Sequence, residues 1–463
     1  MQDPNAPLSP NDSPALLEVL SRAMSPADEI RKPASATLKQ LETRPGFVSL
    51  LLHLSQTSPQ DPHVHLRQFA SIQLKNVVVR NWRSGGNIHE NERISLRQSL
   101  LGRLQEQNPH VAEQLLVVIG KIAREDFPER WPALLDTLMQ QATAPHAPFV
   151  TRTMNKIFKT LSSKRKGADR RVYSDLANRT LPYLVPHWSK RQADLFQAIA
   201  AAAAAGAGAA NASSSSSTSA TSSAAAAATA TSAISNPATA DALYREATSC
   251  LYLLKSICRL VHYGQTSLRA GTITCTFLSD MLTTVQTPLP FVLDDATREG
   301  HRRVSSGKFF NLCFDDHKNI YILSNLTYIS SSWFLISFLI FYTGDSIFSL
   351  DEGTDDEEKK TLVGRLRGMI EVSLKTLCRL FGRAPLSFRP YLPTFLTLSR
   401  TIIVDHGQRI ATSGDLARRY EVPSLLACRF LSKCVAERKF EMLGDGDGDV
   451  TQEQVEGMLL FLQ

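Results

Sequence analysis

Four carboxylates in the segment 445–456 come closest to a motif that could do chemistry. They fall at positions 1, 3, 5 and 12 of a calcium-binding loop: Asp445, Asp447, Asp449 and Glu456. Position 6 of such a loop needs glycine for its sharp turn, but Val450 stands there, and Gln452 takes position 8, where an apolar residue is usual. We therefore predict an acidic loop between helices rather than a calcium site.

Other residues with catalytic potential form no enzyme motif. The sequence contains no phosphate-binding loop, no dinucleotide fingerprint and no HExxH pair. His63 and His65 stand close together at a helix start, which is more typical of a solvent-exposed surface than of a metal site. The 7 cysteines include no CxxC pair and none precedes Cys250, as expected for reduced thiols in the cytosol or nucleus. We predict a protein that is not an enzyme and uses no cofactor or metal.

The charge balance points to acidic partners or to a solvated surface. Lys and Arg total 51 against 44 Asp and Glu, which gives a net charge of +7. The densest basic run is Lys164-Arg165-Lys166, followed by Arg170 and Arg171. Because no aromatic residue is interleaved with these cations, nucleic acid is a poor candidate partner. We interpret the run as a basic loop that connects two helices.

Apolar residues recur at helical spacing through most of residues 15–200. The stretch from Val64 to Trp82, for example, places Leu66, Ala70 and Leu74 on one side of a helix. Proline and glycine breaks divide such stretches into helix pairs, and each pair takes roughly 40 residues, the period of HEAT and armadillo repeats. We predict an all-α fold, an α-solenoid of HEAT/armadillo-like helical repeats with low-complexity insertions. A compact helical bundle is the alternative.

Two uncharged segments interrupt this pattern. Residues 195–240 are mostly Ala, Ser and Thr, a composition expected of a frayed helix or a disordered loop. Residues 320–342 would be long enough to span a bilayer, but polar residues dilute their first half, and only about ten residues are continuously apolar. We interpret 320–344 as an insert of doubtful origin, such as translated intron. A membrane anchor is the lesser alternative.

These breaks define the predicted domain organisation. The segments are a disordered N-terminus (1–14), the first repeats (15–90), further repeats (91–194), the Ala/Ser/Thr-rich insert (195–240), more repeats (241–319), the apolar insert (320–344) and the last repeats (345–463). The chain ends within the apolar run 458–462, which predicts a truncated protein.

Two motifs resemble the importin-β family of nuclear transport receptors. The first combines Leu38–Glu42, Pro45-Gly46-Phe47 and a helix that ends near Trp82 and carries Arg67, Ala70, Leu74, Lys75 and Asn76. The second, Phe127–Pro132, resembles the (Tyr/Phe)-Pro-x-x-Trp-Pro start of a later repeat in these receptors. Within the family, the segments 161–165, 169–171 and 173–177 are similar to the importin eleven branch. The resemblance covers residues 15 to about 190.

The resemblance implies a carrier that binds other proteins. In this family, the second helices of the first repeats line the concave face and bind the GTP form of the small GTPase Ran. Those helices here are Val64–Trp82 and His110–Glu125, and cations on them would suit an acidic GTPase surface. The candidate contacts are Lys75, Asn76, Arg80, Lys121 and Arg124. Five further residues of these motifs are expected to have structural roles: Ala70, Leu74 and Trp82 pack a repeat core, and Trp131-Pro132 fixes a helix start.

The same resemblance implies cargo proteins and Phe-Gly nucleoporins as further partners. It implies protein import, with no membrane insertion and with a location in the cytoplasm, the nucleus and the pores of the nuclear envelope. The chain differs from the family in its basic charge and in its length, about half that of common members, so that GTPase binding is better supported than cargo transport. The alternative function is a HEAT-repeat scaffold with no GTPase partner.

Overall fold

The structure is a computed structural model. It describes residues 7–55, 64–83, 86–102, 106, 108–142, 148–164, 166–212, 237–264, 272–286, 362–381, 392–412 and 423–431. The chain divides into two compact units. One comprises Met1–Trp188 with Thr248–Ser267, and the other comprises Ser189–Ala247 with Leu268–Gln463.

All regular elements within the described ranges are helices. The first eight are α1 (Ser13–Ala23), α2 (Asp28–Leu41), α3 (Phe47–Leu54), α4 (Val64–Asn81), α5 (Glu90–Leu101), α6 (Pro109–Asp126), α7 (Ala133–Ala142) and α8 (Pro148–Ser162). They are followed by α9 (Gly167–Ala212), α10 (Pro237–Tyr263), α11 (Thr272–Gln286), α12 (Leu362–Phe381), α13 (Leu392–Thr412) and α14 (423–431). The predicted all-α class is confirmed.

The ordered chain begins earlier than the sequence predicts. The Leu8 N–H donates to the Pro45 carbonyl at 2.8 Å, Pro10–Asp12 form a 3-10 turn, and α1 begins at Ser13. Gly46 allows this contact, since its φ is 89° and a Cβ there would lie 2.3 Å from the Leu8 carbonyl oxygen. The prediction of a disordered segment 1–14 is therefore wrong for residues 8–14, which a long-range backbone hydrogen bond holds in place.

The second helices of successive pairs stack on one another. Helix α4 packs against α6, and α6 packs against α8, while α3 and α7 pack against α4 and α8 respectively. Apolar residues of the three stacked helices are fully buried: Leu74, Val78, Val118, Ile122, Met154 and Phe158. Burying a side chain of this size contributes roughly 1.5–3 kcal/mol relative to exposing it. Burial of these apolar faces is therefore the main force that holds neighbouring repeats together.

Helix α6 begins where the sequence predicts a break. Asn108 caps the helix, and its side-chain oxygen accepts from the backbone N–H of His110 at 3.0 Å and of Val111 at 3.3 Å. Pro109 takes the first helical position, where its missing N–H costs nothing. The helix ends at Asp126, just before Phe127-Pro128.

In the second unit, polar contacts connect helices that are distant in sequence. Arg191 pairs with Glu246 through two bonds of 2.6 and 2.7 Å, which join α9 to α10. The Thr284 hydroxyl donates to the side chain of Gln192 at 2.6 Å and joins α11 to α9. Helix α11 packs against α12. These contacts extend the helical architecture beyond the first 190 residues, where the sequence motifs are weak.

Helix α9 continues well into the predicted low-complexity insert. It extends to Ala212, so the first part of 195–240 is helical, and α10 begins at Pro237. The apolar insert 320–344, the acidic run 351–358 and the acidic loop 445–456 lie outside the described residues. Among the helices that the structure describes, none is both long enough and apolar enough to cross a membrane.

Candidate functional site

One face of each stacked helix is turned away from the core. Its residues follow one another at intervals of three or four positions and are partly or fully exposed, as expected for one side of a helix. They are His65, Phe69, Ile72, Lys75, Asn76 and Val79 on α4, Glu113, Gln114, Val117, Lys121 and Arg124 on α6, and Arg152, Asn155, Lys156 and Lys159 on α8. We name this surface the second-helix face, and it contains four of the five candidate GTPase contacts.

Lys75 and Asn76 lie in the middle of α4 and are both partly exposed. Within the part of the chain that the structure describes, neither side chain makes a hydrogen bond or ion pair. Their neighbours on the same face are apolar: Phe69 and Ile72 are partly exposed, and Val79 is 45% exposed. This part of the second-helix face therefore combines apolar contact area with one ammonium and one amide group that are available to a partner.

Arg80 forms an ion pair within the chain. Its guanidinium donates to Glu42 at 2.8 Å, and the side-chain amide of Asn81 donates to the other oxygen of the same carboxylate, also at 2.8 Å. Glu42 directly follows α2, so the two bonds join the C-terminal ends of α2 and α4. Arg80 remains 58% exposed, but its charge is largely compensated.

Lys121 is also paired within the chain. Its ammonium lies 3.0 Å from the carboxylate of Glu125 one turn later, and Arg83 approaches the same carboxylate at 3.5 Å. Burial alone would raise the pKa of Glu125, but the hydrogen bond from Lys121 and the positive charges of Lys121 and Arg83 outweigh it and hold the pKa below its usual value. Glu125 therefore remains ionised and compensates both cations.

Arg124 connects α6 to the end of α8. Its guanidinium donates to the backbone carbonyl of Thr160 at 3.0 Å and to the hydroxyl of Ser163 at 2.6 Å. The carbonyl lies in the last turn of α8, where unpaired backbone oxygens favour a cation. Arg124 thus helps to hold α6 against α8. Both of its acceptors are neutral, so these bonds do not neutralise its positive charge.

The five residues with predicted structural roles lie in the repeat core or at a helix start. Ala70 and Leu74 are fully buried in α4, and Trp82 is 1% exposed with the guanidinium carbon of Arg93 5.5 Å from its ring centre. Trp131 is 3% exposed, and its backbone N–H donates to the Asp126 backbone carbonyl at 3.2 Å. Pro132 is exposed and directly precedes α7.

The sequence reasoning missed two buried ion pairs behind the second-helix face. Arg97 of α5 donates to Asp126 at 2.5 Å, and their side chains are 8% and 1% exposed. Arg67 of α4 approaches Glu106 at 3.3 Å and also donates to the Ser55 carbonyl at 3.2 Å. The partners are 29 and 39 residues apart, so no local pattern reveals them. Across the described ranges, no three His, Cys, Asp or Glu side chains are placed to hold a metal ion.

Comparisons with known proteins agree with this architecture. Residues 34–106, which include α4, match the family described as Importin-beta N-terminal domain. Human Importin-11 is 32% identical over 196 residues, which cover 41% of this chain and 20% of the relative. Exportin-2 from Xenopus laevis is 29% identical over 138 residues, which cover 29% of this chain and 14% of the relative.

One solved structure shares this helical architecture. Lph2 of S. cerevisiae, described as a bidirectional nuclear transport receptor, superposes with a TM-score of 0.52 at 17% identity over 96% of this chain and 34% of Lph2. At this identity the similarity establishes the fold, a HEAT-type helical solenoid. The aligned residues span about one fifth of the length of the Importin-11 relatives that the chain matches. The N-terminal repeats are therefore similar to the Importin-beta N-terminal domain and to the nuclear transport proteins named above, and they lie within a helical solenoid.

Proposed function

We propose that the N-terminal repeats bind the GTP form of a Ran-type small GTPase, and that the protein mediates the import of other proteins into the nucleus. The observation that carries the proposal is the exposed part of α4. It lies within residues 34–106, the stretch matched to the Importin-beta N-terminal domain, and it presents Lys75 and Asn76 beside Phe69, Ile72 and Val79.

The composition of this part of α4 suits a protein partner. Apolar side chains that remain exposed on a folded helix mark interaction surfaces when polar groups accompany them. The helix is apolar on two sides, since Leu74, Val77 and Val78 are buried while Val79 is exposed. A cation such as Lys75 beside this area would attract an acidic GTPase surface and accelerate encounter.

The five candidate contacts divide into two roles. Lys75 and Asn76 make no side-chain hydrogen bond or ion pair within the described chain and are the residues that we assign to GTPase contact. Arg80, Lys121 and Arg124 already bond to Glu42, Glu125 and Thr160. Arg80 would act mainly by joining α2 to α4 and Arg124 by joining α6 to α8, whereas Lys121 pairs with Glu125 within α6.

The proposed carrier cycle couples two ligands of one solenoid. Cargo would bind in the cytoplasm, weak contacts with Phe-Gly nucleoporins would allow passage through the pore, and GTPase binding in the nucleus would release the cargo. Such coupling requires that cargo and GTPase favour different curvatures of the same repeat stack. The protein would accordingly be found in the cytoplasm, the nucleus and the nuclear envelope.

The direct test is binding of the full chain to a Ran-type GTPase loaded with GTP or with GDP. We expect binding that favours the GTP form. Lys75→Glu should weaken it about tenfold or more, since placing a negative charge against an acidic surface costs at least about 1.4 kcal/mol. Lys39→Glu, an equal charge reversal at an exposed position of α2, serves as the matched control.

Two outcomes would contradict the proposal. Equal affinity for the GTP and GDP forms would favour the alternative of a HEAT-repeat scaffold with no GTPase partner. A GTP preference that Lys75→Glu leaves unchanged would place GTPase contact elsewhere than on α4.

A further inference from the structure

Two neighbouring helical segments carry cations without acidic residues. Helix α8 contains Arg152, Lys156 and Lys159, and the segment 248–263 of α10 contains Lys255 and Arg259. Neither segment contains an Asp or Glu. All five cations are partly or fully exposed. Helices of soluble proteins usually alternate charges of both signs, because like charges one turn apart repel.

Side-chain contacts join these two segments into one surface. The Arg259 guanidinium donates to the Asn155 side-chain oxygen at 3.2 Å. The Arg152 guanidinium lies 5.7 Å from the ring centre of Tyr252, and the Lys255 ammonium lies 5.5 Å from the same ring. We name this surface the α8/α10 basic surface.

One carboxylate compensates this surface at its edge. Glu113 of α6 accepts from Arg152 at 2.9 Å, and this Glu113 side chain is 57% exposed. Arg259 bonds to a neutral amide, and Lys156, Lys159 and Lys255 make no ion pair within the described chain. The positive charge is therefore left largely uncompensated, in contrast to that of Arg80 and Lys121.

The surface is also partly preorganised. The aliphatic part of Lys156 lies over Gly120 of α6, where a Cβ on the glycine would come within 3.2 Å of the lysine Cγ. Arg152 and Lys255 are held against Tyr252. Side chains that are fixed before a ligand arrives lose less conformational entropy when they bind it.

We propose that the α8/α10 basic surface binds an acidic segment of a partner polypeptide. Arg152 and Lys156, like Lys255 and Arg259, are four residues apart, which corresponds to about 6 Å along a helix. Alternate side chains of an extended chain point to one side about 7 Å apart. Alternating Asp or Glu residues of an extended segment would therefore match cations that are spaced by one turn.

An acidic polypeptide fits this surface better than nucleic acid does. Binding of single strands relies on aromatic rings on which bases stack. Tyr252, the ring that lies among these cations, already packs with Arg152 and Lys255.

The site does not depend on a GTPase, so it can be tested separately from the proposed transport function.

The test measures binding of a fluorescein-labelled oligoglutamate peptide to the full chain by anisotropy, with oligoglutamine and oligothymidylate as comparison probes. The test variant combines Lys156→Gln and Lys255→Gln. The control variant combines Lys39→Gln and Lys190→Gln, which remove the same charge at exposed positions on α2 and α9. We expect the test variant to weaken oligoglutamate binding roughly five- to tenfold and the control to leave it within about twofold.

Salt supplies a second readout, since ionic contacts at an exposed surface weaken as ionic strength rises. The proposal is overturned if oligoglutamate does not bind, if the two variants weaken it equally, or if oligothymidylate binds in preference to it. Equal binding of oligoglutamine would also overturn it, because an uncharged peptide would then suffice.

Discussion

The cations near α4 and α6 have different partners from the cations near α8 and α10. Near α4 and α6, Arg80 is neutralised by Glu42, and Lys121 by Glu125. Near α8 and α10, Arg259 bonds to a neutral amide, and Lys156 and Lys255 have no carboxylate partner among the described residues. A basic residue on a repeat helix can therefore be part of the architecture or available to a ligand, and only its partners distinguish the two.

The partners of each cation indicate whether it stabilises the fold or binds a ligand. Where carboxylates compensate the cations, substitution should lower stability, and the partner should be recognised by apolar area and Lys75. Where a cation has no bonding partner among the described residues, as at Lys156 and Lys255, substitution should barely change stability and should reduce binding of acidic ligands. The following predictions test this division, in order of decreasing effect on stability.

The largest effect is expected at the buried pair of Arg97 and Asp126. Asp126→Ala leaves a guanidinium that is 8% exposed without its buried carboxylate, and this should lower the free energy of unfolding by about 3–5 kcal/mol. Urea unfolding followed by circular dichroism measures the change. Glu90→Gln removes the exposed partner of the same arginine, at 56% exposure, and should cost less than about 1 kcal/mol. Equal effects of the two substitutions would contradict the structural role of the buried pair.

A smaller loss is expected at the contact between α6 and α8. Arg124→Met removes the hydrogen bonds to the Thr160 carbonyl and the Ser163 hydroxyl, and should lower the free energy of unfolding by about 1–2 kcal/mol. Lys159→Met on α8, which is exposed, is the matched control and should stay within about 0.5 kcal/mol. If the control destabilises as much as Arg124→Met, these bonds do not hold the repeats together.

The lowered pKa of Glu125 predicts that its contribution to the stability of the protein depends on pH. Its folded pKa lies below the ordinary value of 4.5, so its contribution to stability is present above about pH 4.5 and is lost as the pH falls through the folded pKa. Glu125→Gln should therefore destabilise the protein at neutral pH by less than about 1 kcal/mol, since the pair is partly exposed to solvent. The difference from the unsubstituted protein should shrink in acid. A difference in unfolding midpoint that is constant from neutral pH to pH 3 would refute this assignment.

The smallest effect is expected on the α8/α10 basic surface. Lys156→Met keeps the aliphatic stem over Gly120 and removes one of several like charges. We expect the free energy of unfolding to stay within about 0.5 kcal/mol or to rise slightly. Thermal unfolding at low and high salt measures this, and a clear loss of stability would show that Lys156 has a structural partner.

Much of the fold could be predicted because its signals are local. The Asn108-Pro109 break marks the start of α6, and the apolar spacing around Ala70 and Leu74 identifies the buried side of α4. The order in residues 8–14 could not be predicted, because it depends on Leu8 reaching the Pro45 carbonyl across the α2–α3 turn. Composition alone indicated a polar, disordered start.

The candidate site was harder to predict for the same reason. Sequence spacing identifies Lys75, Arg80, Lys121 and Arg124 as cations on second helices, but it does not show whether a carboxylate lies nearby. The partner of Arg80 is 38 residues away, and the contact between Asn155 and Arg259 joins residues 104 positions apart. Such contacts follow from the stacking of repeats, which no local motif specifies.

The most direct test measures the affinity of two variants for each of two ligands. Lys75→Glu on α4 and Lys156→Glu on α8 reverse one charge each, and the full chain is titrated with the GTP-loaded GTPase and, separately, with oligoglutamate. The account predicts that Lys75→Glu weakens GTPase binding at least about tenfold and leaves oligoglutamate binding within about twofold, while Lys156→Glu does the reverse. Loss of both ligands in either variant would contradict it, because the two parts of the second-helix face would then form a single binding surface.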